Sequence, residues 1–421
     1  MNNKKLHRIC MLNPHGYVTY PPQLGKTDTG GQTLYVLELA KALGKKNIYV
    51  DIITRKFDNL PDEEEIFKNV KIIRIPTGPN TFVQKERMYE LLPEMVNNFI
   101  NYNIKKRRSY DLIHSHYWDG GYAGIILSKM LNIPHVHTPH TLGKQKKLEM
   151  TASDTPLQKL KPIYRYHLRI ASEQKIMNKA NAIIVLCETS RIQILEHYMV
   201  EDFEKIQVIY PGINTEVFNT TRTNYDQELG LKSNSILTVS RMVPAKGLDR
   251  VIDALALLKN KIDFHCYMGS GGSGENLSPE EKEAQIKIKK SIDEHKLTNR
   301  ITMIGLVPHD TVLPAYYRNS DLFIIASRYE PFGLTTMEAM ACGTIPIVSS
   351  VAGSREIIVD GLNGFIVDTH DRKSLARTIE KALTDSILRK KVAENAAFTI
   401  KEHYSWDKTV EKFLAVYKKL L

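Results

Sequence analysis

Arg328-Tyr329-Glu330-Pro331-Phe332-Gly333-Leu334-Thr335-Thr336-Met337-Glu338-Ala339-Met340-Ala341-Cys342-Gly343 comes just after the apolar run Leu322 to Ala326. The run has the length and composition of a buried strand. Pro331 and Gly333 break the chain, so Glu330 is expected on a loop and Glu338 in the helix that follows. The amides of Gly333, Leu334 and Thr335 then become the unpaired donors of a helix start, which favours an anion. One strand, one loop and one helix carry two carboxylates and a phosphate cradle.

The same rhythm extends in both directions. Strands are expected at Ile9–Leu12, Val50–Thr54, Val70–Ile75, Asp111–Ser115, His135–Thr138, Ala182–Cys187 and Ile206–Tyr210. Helices are expected at Thr33–Leu43, Met88–Tyr102, Tyr122–Leu131 and near Tyr164–Lys179. After the turn-rich Pro211-Gly212-Ile213-Asn214 the alternation restarts, with strands at Ile236–Ser240, Phe264–Met268, Ile301–Ile304 and Ile345–Ser349. Alternating strands and helices predict parallel sheets covered on both faces. The expected fold class is therefore α/β with two doubly wound, Rossmann-like domains, 1–212 and 213–400. Ligands in such sheets bind outside the carboxyl ends of the strands.

Composition bounds the function. At about 150 residues per domain, 421 residues suggest two or three domains. Cys10, Cys187, Cys266 and Cys342 are far apart and form no CxxC pair, which speaks against a disulfide framework and fits a reducing, cytoplasmic setting. No apolar run is long enough for a signal peptide or a membrane span. The net charge of +11 attracts anions of any kind. Its placement is more informative. Lys105 to Arg108 is expected as a solvated loop. Lys144, Lys146, Lys147, Lys159, Lys161, Arg165 and Arg169 crowd a segment with few aromatics, which favours a phosphate pocket over nucleic acid.

Four further stretches could carry chemistry. Thr29-Gly30-Gly31-Gln32 opens a helix after the first strand, either as a ligand-approach loop or as a tight turn. Gly269 to Gly274 matches GxGxxG but does not open a helix at once, so a loop is expected there rather than a nicotinamide site. His114, His116, His135 and His137 lie on strands. Metal ligation and ordinary strand packing are both open to them, and no Glu sits among them to complete a zinc set. His140 follows Thr138-Pro139 and leaves its strand at the carboxyl edge. In Ser240 to Gly247, Arg241 and Lys246 either clamp a diphosphate or sit on a solvated loop.

Taken in order, Gly30-Gly31-Gln32, His140, Arg241 with Lys246, and Glu330 with Glu338 in an E-x7-E arrangement resemble the family-4 retaining glycosyltransferases of GT-B architecture. The resemblance covers most of the chain. It implies two domains facing a central cleft, with 401–421 as a terminal helix crossing back to the first domain. Thr27 to Gln32, His114 to Asp119 and His140 to Lys146 resemble the sucrose-phosphate synthase and mannosylfructose-phosphate synthase subgroups. The inositol-phosphate glycosyltransferases are also similar, but typically carry Gly-Gly-Met where this chain has Gly30-Gly31-Gln32.

The resemblance further implies a nucleotide-sugar donor held by Gly31, Arg241, Lys246, Gly333, Leu334, Thr335 and Glu338. His140, Arg241, Lys246 and Glu330 would serve the reaction. The acceptor, with fructose 6-phosphate leading, would meet Gly31, Gln32, Lys85, Tyr117, Thr141, Lys146 and Arg169. No cofactor or metal is expected, because Arg241 and Lys246 can neutralise a diphosphate. Nor is a nucleic-acid or membrane partner expected. A membrane-surface transferase with a lipid or glycan acceptor is the rival. It calls for a basic amphipathic helix, which Met88–Tyr102 does not supply.

Overall fold

The computed structural model describes residues 5–152, 164–270, 277 and 279–421. The chain divides into two compact units, Met1–Tyr210 with Trp406–Leu421, and Pro211–Ser405.

In the first unit the strands are β1 (Arg8–Leu12), β2 (Tyr49–Lys56), β3 (Glu63–Phe67), β4 (Val70–Pro76), β5 (Leu112–His116), β6 (His135–Thr138), β7 (Ala182–Val185) and β8 (Ile206–Val208). They form one sheet in the order β3-β4-β2-β1-β5-β6-β7-β8. All neighbours are parallel except β3 and β4. Alternate side chains of a strand face opposite sides of the sheet. Ile9 and Met11 accordingly join one core, under the helices Gly31–Lys45 and Trp406–Leu420. Cys10 and Leu12 join the other, under the helix Met88–Lys106. Burial on both faces is why these strands read as unbroken apolar runs. The strand order reverses between β1 and β5, and that switch point is where a parallel sheet opens a crevice.

The second unit repeats the plan with β9 (Ser235–Ser240), β10 (His265–Ser270), β11 (Ile301–Gly305), β12 (Leu322–Ile325), β13 (Ile345–Ser349) and β14 (Phe365–Val367). The order is β11-β10-β9-β12-β13-β14, parallel throughout, with its switch point between β9 and β12. The helix Leu248–Leu258 buries Val251, Ile252 and Leu255 against this sheet.

Several expectations need correction. The helix expected from Tyr122 begins at Tyr117, because Gly120 and Gly121 lie inside it rather than breaking it. A Cβ on Gly120 would come within 2.9 Å of the Leu12 carbonyl oxygen, and one on Gly121 within 2.6 Å of His137. Only glycine lets the helix sit that close to the sheet. Lys105 and Lys106 end a helix, and Arg108 is no solvated loop residue: it binds Asp51 at 3.0 Å and Glu63 at 3.1 Å. Residues 401–403 finish the helix Ser386–His403, so the terminal helix starts at Trp406. Lys159, Lys161 and the glycine-rich stretch from Gly271 to Gly274 lie outside the described residues.

Candidate active site

In the first unit, polar side chains gather at the carboxyl ends of β1 and β5. Gly31 starts its helix after Gly30, with no side-chain cap, so the first amides point outward. Gln32 donates to Asn13 Oδ1 at 2.6 Å, and its amide lies 3.4 Å from His15 Nε2. The other imidazole nitrogen of His15 meets Asp119 at 2.8 Å. Burial pulls the His15 pKa down, but Asp119 outweighs it and raises the value above the ordinary range. The ring of Tyr117 stands edge-on to His15, 4.9 Å away.

Arg169 ties the next residues together. Its guanidinium donates to Tyr117 Oη at 2.8 Å, to the Thr141 carbonyl at 2.8 Å and to Thr141 Oγ1 at 2.9 Å. Its Nε reaches Glu173 at 2.8 Å. Arg169 is buried and spends its fork on its neighbours, so it orients Tyr117 and Thr141. Glu173 also accepts from the Gly143 amide and from Tyr198 Oη, which pins the start of the helix Gly143–Ala152. Lys146 lies on that helix, its ammonium 5.7 Å from the centre of the Tyr164 ring. Lys85 pairs with Asp28 and Glu86. Burial would lower the Lys85 pKa, but Asp28 prevails and raises it, so the ammonium stays charged.

His140 has a φ of 58°, a left-handed conformation that a non-glycine residue rarely adopts. One of its ring nitrogens lies 3.0 Å from His116 Nδ1. Burial, with His15 adding to it, pushes the His140 pKa down to about 3, so the ring is neutral. The other strand histidines are hydrogen-bonded within the fold. His114 meets Thr138 at 2.8 Å and Tyr417 at 2.7 Å, while Ser115 bridges His135 and His137. Among the described residues, no group of three or more His, Cys, Asp or Glu is placed to hold a metal ion.

In the second unit Arg241 and Lys246 follow β9 and Glu330 follows β12, and the fold pairs Lys246 with Glu330 while Arg241 and Glu338 find other partners. Lys246 Nζ lies 2.5 Å from Glu330 Oε2, joining residues 84 apart in sequence. Arg241 is more exposed and donates to Glu281 at 2.9 Å. Gly247 has a φ of 65°, and a Cβ there would fall 2.0 Å from the Ala326 carbonyl oxygen, so only glycine permits the turn. Gly333, with φ at 101°, precedes the helix Leu334–Ala341 and sets Leu334 and Thr335 at its start. Arg328 binds the Pro244 carbonyl at 2.7 Å and both oxygens of Asp249. That cross-tie holds the Lys246 loop beside the Glu330 loop.

Glu338 is buried, and both of its oxygens have partners. His309 meets Oε1 at 3.0 Å and Tyr317 donates to Oε2 at 3.0 Å. The second imidazole nitrogen of His309 lies 2.5 Å from Asp310. Burial would lower the His309 pKa, but Glu338 and Asp310 lift it to about 10.

The geometry supplies cations and helix amides at one switch point and a polar, partly charged network at the other. Residues 29–217 match the family described as Glycosyltransferase Family 4, and residues 221–398 match Glycosyl transferases group 1. The mannosylfructose-phosphate synthase of Agrobacterium fabrum is 33% identical over 416 residues, 97% of this chain and 90% of that protein. The chain belongs to the family-4 glycosyltransferases. The solved sucrose-phosphate synthase of Thermosynechococcus elongatus matches this transferase with a TM-score of 0.85 at 28% identity, over 98% of this chain and 99% of its own. A D-inositol 3-phosphate glycosyltransferase of Corynebacterium glutamicum is 29% identical, over 97% of this chain and 96% of its own. The two sheets are those of GT-B glycosyltransferases, and a retaining reaction is consistent with the family.

Reading the transferase's sequence did not single out His15, Asp119, Glu173, His309, Tyr317 or the tie made by Arg328. Two of these had a signal. Asn13-Pro14-His15-Gly16 leaves β1, and Pro308-His309-Asp310 leaves β11, each a turn with a titratable group at a carboxyl edge.

Proposed function

We propose that this transferase moves a hexosyl group from a nucleotide sugar to fructose 6-phosphate. The contact network of the first unit carries the reading. It runs from Gln32 through His15 to Tyr117, and from Tyr117 through Arg169 to Thr141, with the charged Lys85 pairing Asp28 beside it. A phosphorylated polyol needs this mixture of hydroxyl partners and fixed positive charge. The near full-length likeness to a mannosylfructose-phosphate synthase supports the same acceptor class.

In the second unit, the diphosphate would draw on Lys246, Arg241 and the amides at Gly333, Leu334 and Thr335. Glu330 would take sugar hydroxyls and Glu338 the ribose. The cations and the helix start would stabilise the charge that grows on the departing diphosphate. The acceptor hydroxyl attacks from the face the diphosphate leaves, and a phosphate oxygen takes its proton. His140 would contact the donor sugar as a neutral ring, which adds no positive charge beside the reacting carbon.

A second acceptor, inositol phosphate, is favoured by the likeness to the inositol 3-phosphate transferase. The hydrogen bonds of Gln32 argue for fructose phosphate, since a methionine there could not donate to Asn13. The test is a donor-by-acceptor matrix read by mass spectrometry. UDP-glucose, GDP-mannose and UDP-GlcNAc are crossed with fructose 6-phosphate, inositol phosphate, free fructose and a lipid acceptor. A disaccharide phosphate from fructose 6-phosphate is expected. Transfer only to free fructose or to lipid would overturn the acceptor assignment.

A further inference from the structure

Glu338 is held from two sides by residues of different elements. Tyr317 comes from the helix Leu313–Arg318, and His309 from the segment leaving β11. A carboxylate offers about four lone-pair sites. Two are taken, one on each oxygen. Two remain, and a ribose ring carries two neighbouring hydroxyls that can donate to them. His309 is itself fixed, because its second nitrogen faces Asp310 and its ring stands edge-on to Phe218 at 5.1 Å.

We propose that His309 is a specificity-determining positioning residue, which locks the Glu338 carboxylate so that its remaining lone pairs select a ribonucleotide donor. The inference rests on the nucleotide-sugar reading above and deepens it. Without His309, the Oε1 side of Glu338 has no fixed donor and the carboxylate can turn about its terminal bond. The ribose hydroxyls then meet an acceptor of uncertain direction, and the cost falls on them alone. The phosphates, held by other groups, should not notice. The charges facing His309 are Asp310 on its own segment and Glu338 on the helix Leu334–Ala341. Tyr317 reaches it through Glu338.

The rival reading is a plain cross-tie that merely steadies the fold. The two differ in what they do to 2′-deoxynucleotides. The full-length chain is titrated by calorimetry with UDP, GDP and the 2′-deoxy form of each. The wild-type chain is expected to bind the ribo form more tightly. His309→Ala should weaken the ribo form by about tenfold or more, the scale of a lost hydrogen bond to a charged group. The deoxy form should change far less, so the ribo-to-deoxy ratio falls toward one. His309→Gln, which keeps an N–H donor, should recover part of the ratio. Tyr317→Phe should lower it in the same way.

Equal weakening of ribo and deoxy forms, or an unchanged ratio, overturns the proposal. If His309→Ala loses its far-UV circular dichroism, the ratios of His309→Gln and Tyr317→Phe decide instead. If the wild-type chain binds neither nucleotide, the nucleotide-sugar reading itself falls and this one falls with it. Failure of the parent reading is thus seen in the wild type, and failure of this one only in the variants.

Discussion

His140 and His309 are both shielded from water, yet their pKa values move in opposite directions. Burial, with His15 adding to it, takes His140 down to about 3. His309 faces two carboxylates and rises to about 10. The second case has a consequence for stability. A histidine whose folded pKa lies above its unfolded value of about 6.5 binds its proton more tightly in the folded state. Its contribution is complete below about pH 6.5 and is lost as pH rises through about 10. The stability gap between wild type and His309→Gln should be constant in mild acid and shrink between about pH 7 and 10. Urea unfolding across that range measures it, and parallel curves would refute the ion pair. At this scale the sequence discloses residues that are neighbours in a motif, such as Arg241 with Lys246 and Glu330 with Glu338. It does not disclose partners set by folding. Asp119 lies 104 positions from His15, and no local pattern links them.

At the scale of elements, parallel strands buried on both faces were legible because burial demands unbroken apolar runs. β3 was not, because Glu63-Glu64-Glu65-Ile66-Phe67 opens with three acids. Tertiary charge pairing decides it. Glu64 receives the buried Arg74 at 2.6 Å, and Glu63 receives Lys106 and Arg108. A similar tie joins the short helices Asn224–Glu228 and Leu313–Arg318, where Arg318 grips both oxygens of Asp226 at 2.8 and 2.9 Å. Both side chains are nearly inaccessible. Burial opposes charge on Asp226, but Arg318 and Thr223 hold its pKa down to about 2. Arg318→Ala would leave a buried carboxylate without its counter-ion. The expected loss is about 3–5 kcal/mol in chemical unfolding. A loss under about 1 kcal/mol would mean that water reaches Asp226 and the pair contributes little.

For the molecule as a whole, the last helix, Trp406–Leu420, is part of the first unit's core. Trp406, Val410, Phe413, Leu414 and Tyr417 pack with Val36, Leu39 and Leu43 beneath the sheet. Burying five such side chains stabilises by about 8–15 kcal/mol at about 1.5–3 kcal/mol each. That rivals the net stability of about 5–15 kcal/mol that a folded protein has to lose. A chain ending at Ser405 should therefore lack the melting transition of the first unit while keeping that of Pro211–Ser405. Scanning calorimetry of the truncated chain tests this, and two transitions at unchanged temperatures would refute it. The terminal helix was expected from the family resemblance alone, over 401–421, and the structure starts it at Trp406. Its place on the first domain was implied by the family resemblance and by no local pattern, because the residues it covers lie some 370 positions earlier in the sequence.

That return of the chain has a meaning for how the protein is made. The ribosome completes β1 and its covering helix early, yet the helix that seals them emerges only after Pro211–Ser405. Between the two, residues 46 to 405 must be translated, which takes on the order of 20 to 70 seconds at cellular elongation rates. Throughout that interval Val36, Leu39 and Leu43 have no partner on one side. The second unit, though later in the gene, is free to fold as soon as it appears. The first unit is begun before the second and finished after it, and its unsealed face is where a nascent-chain chaperone would find its substrate.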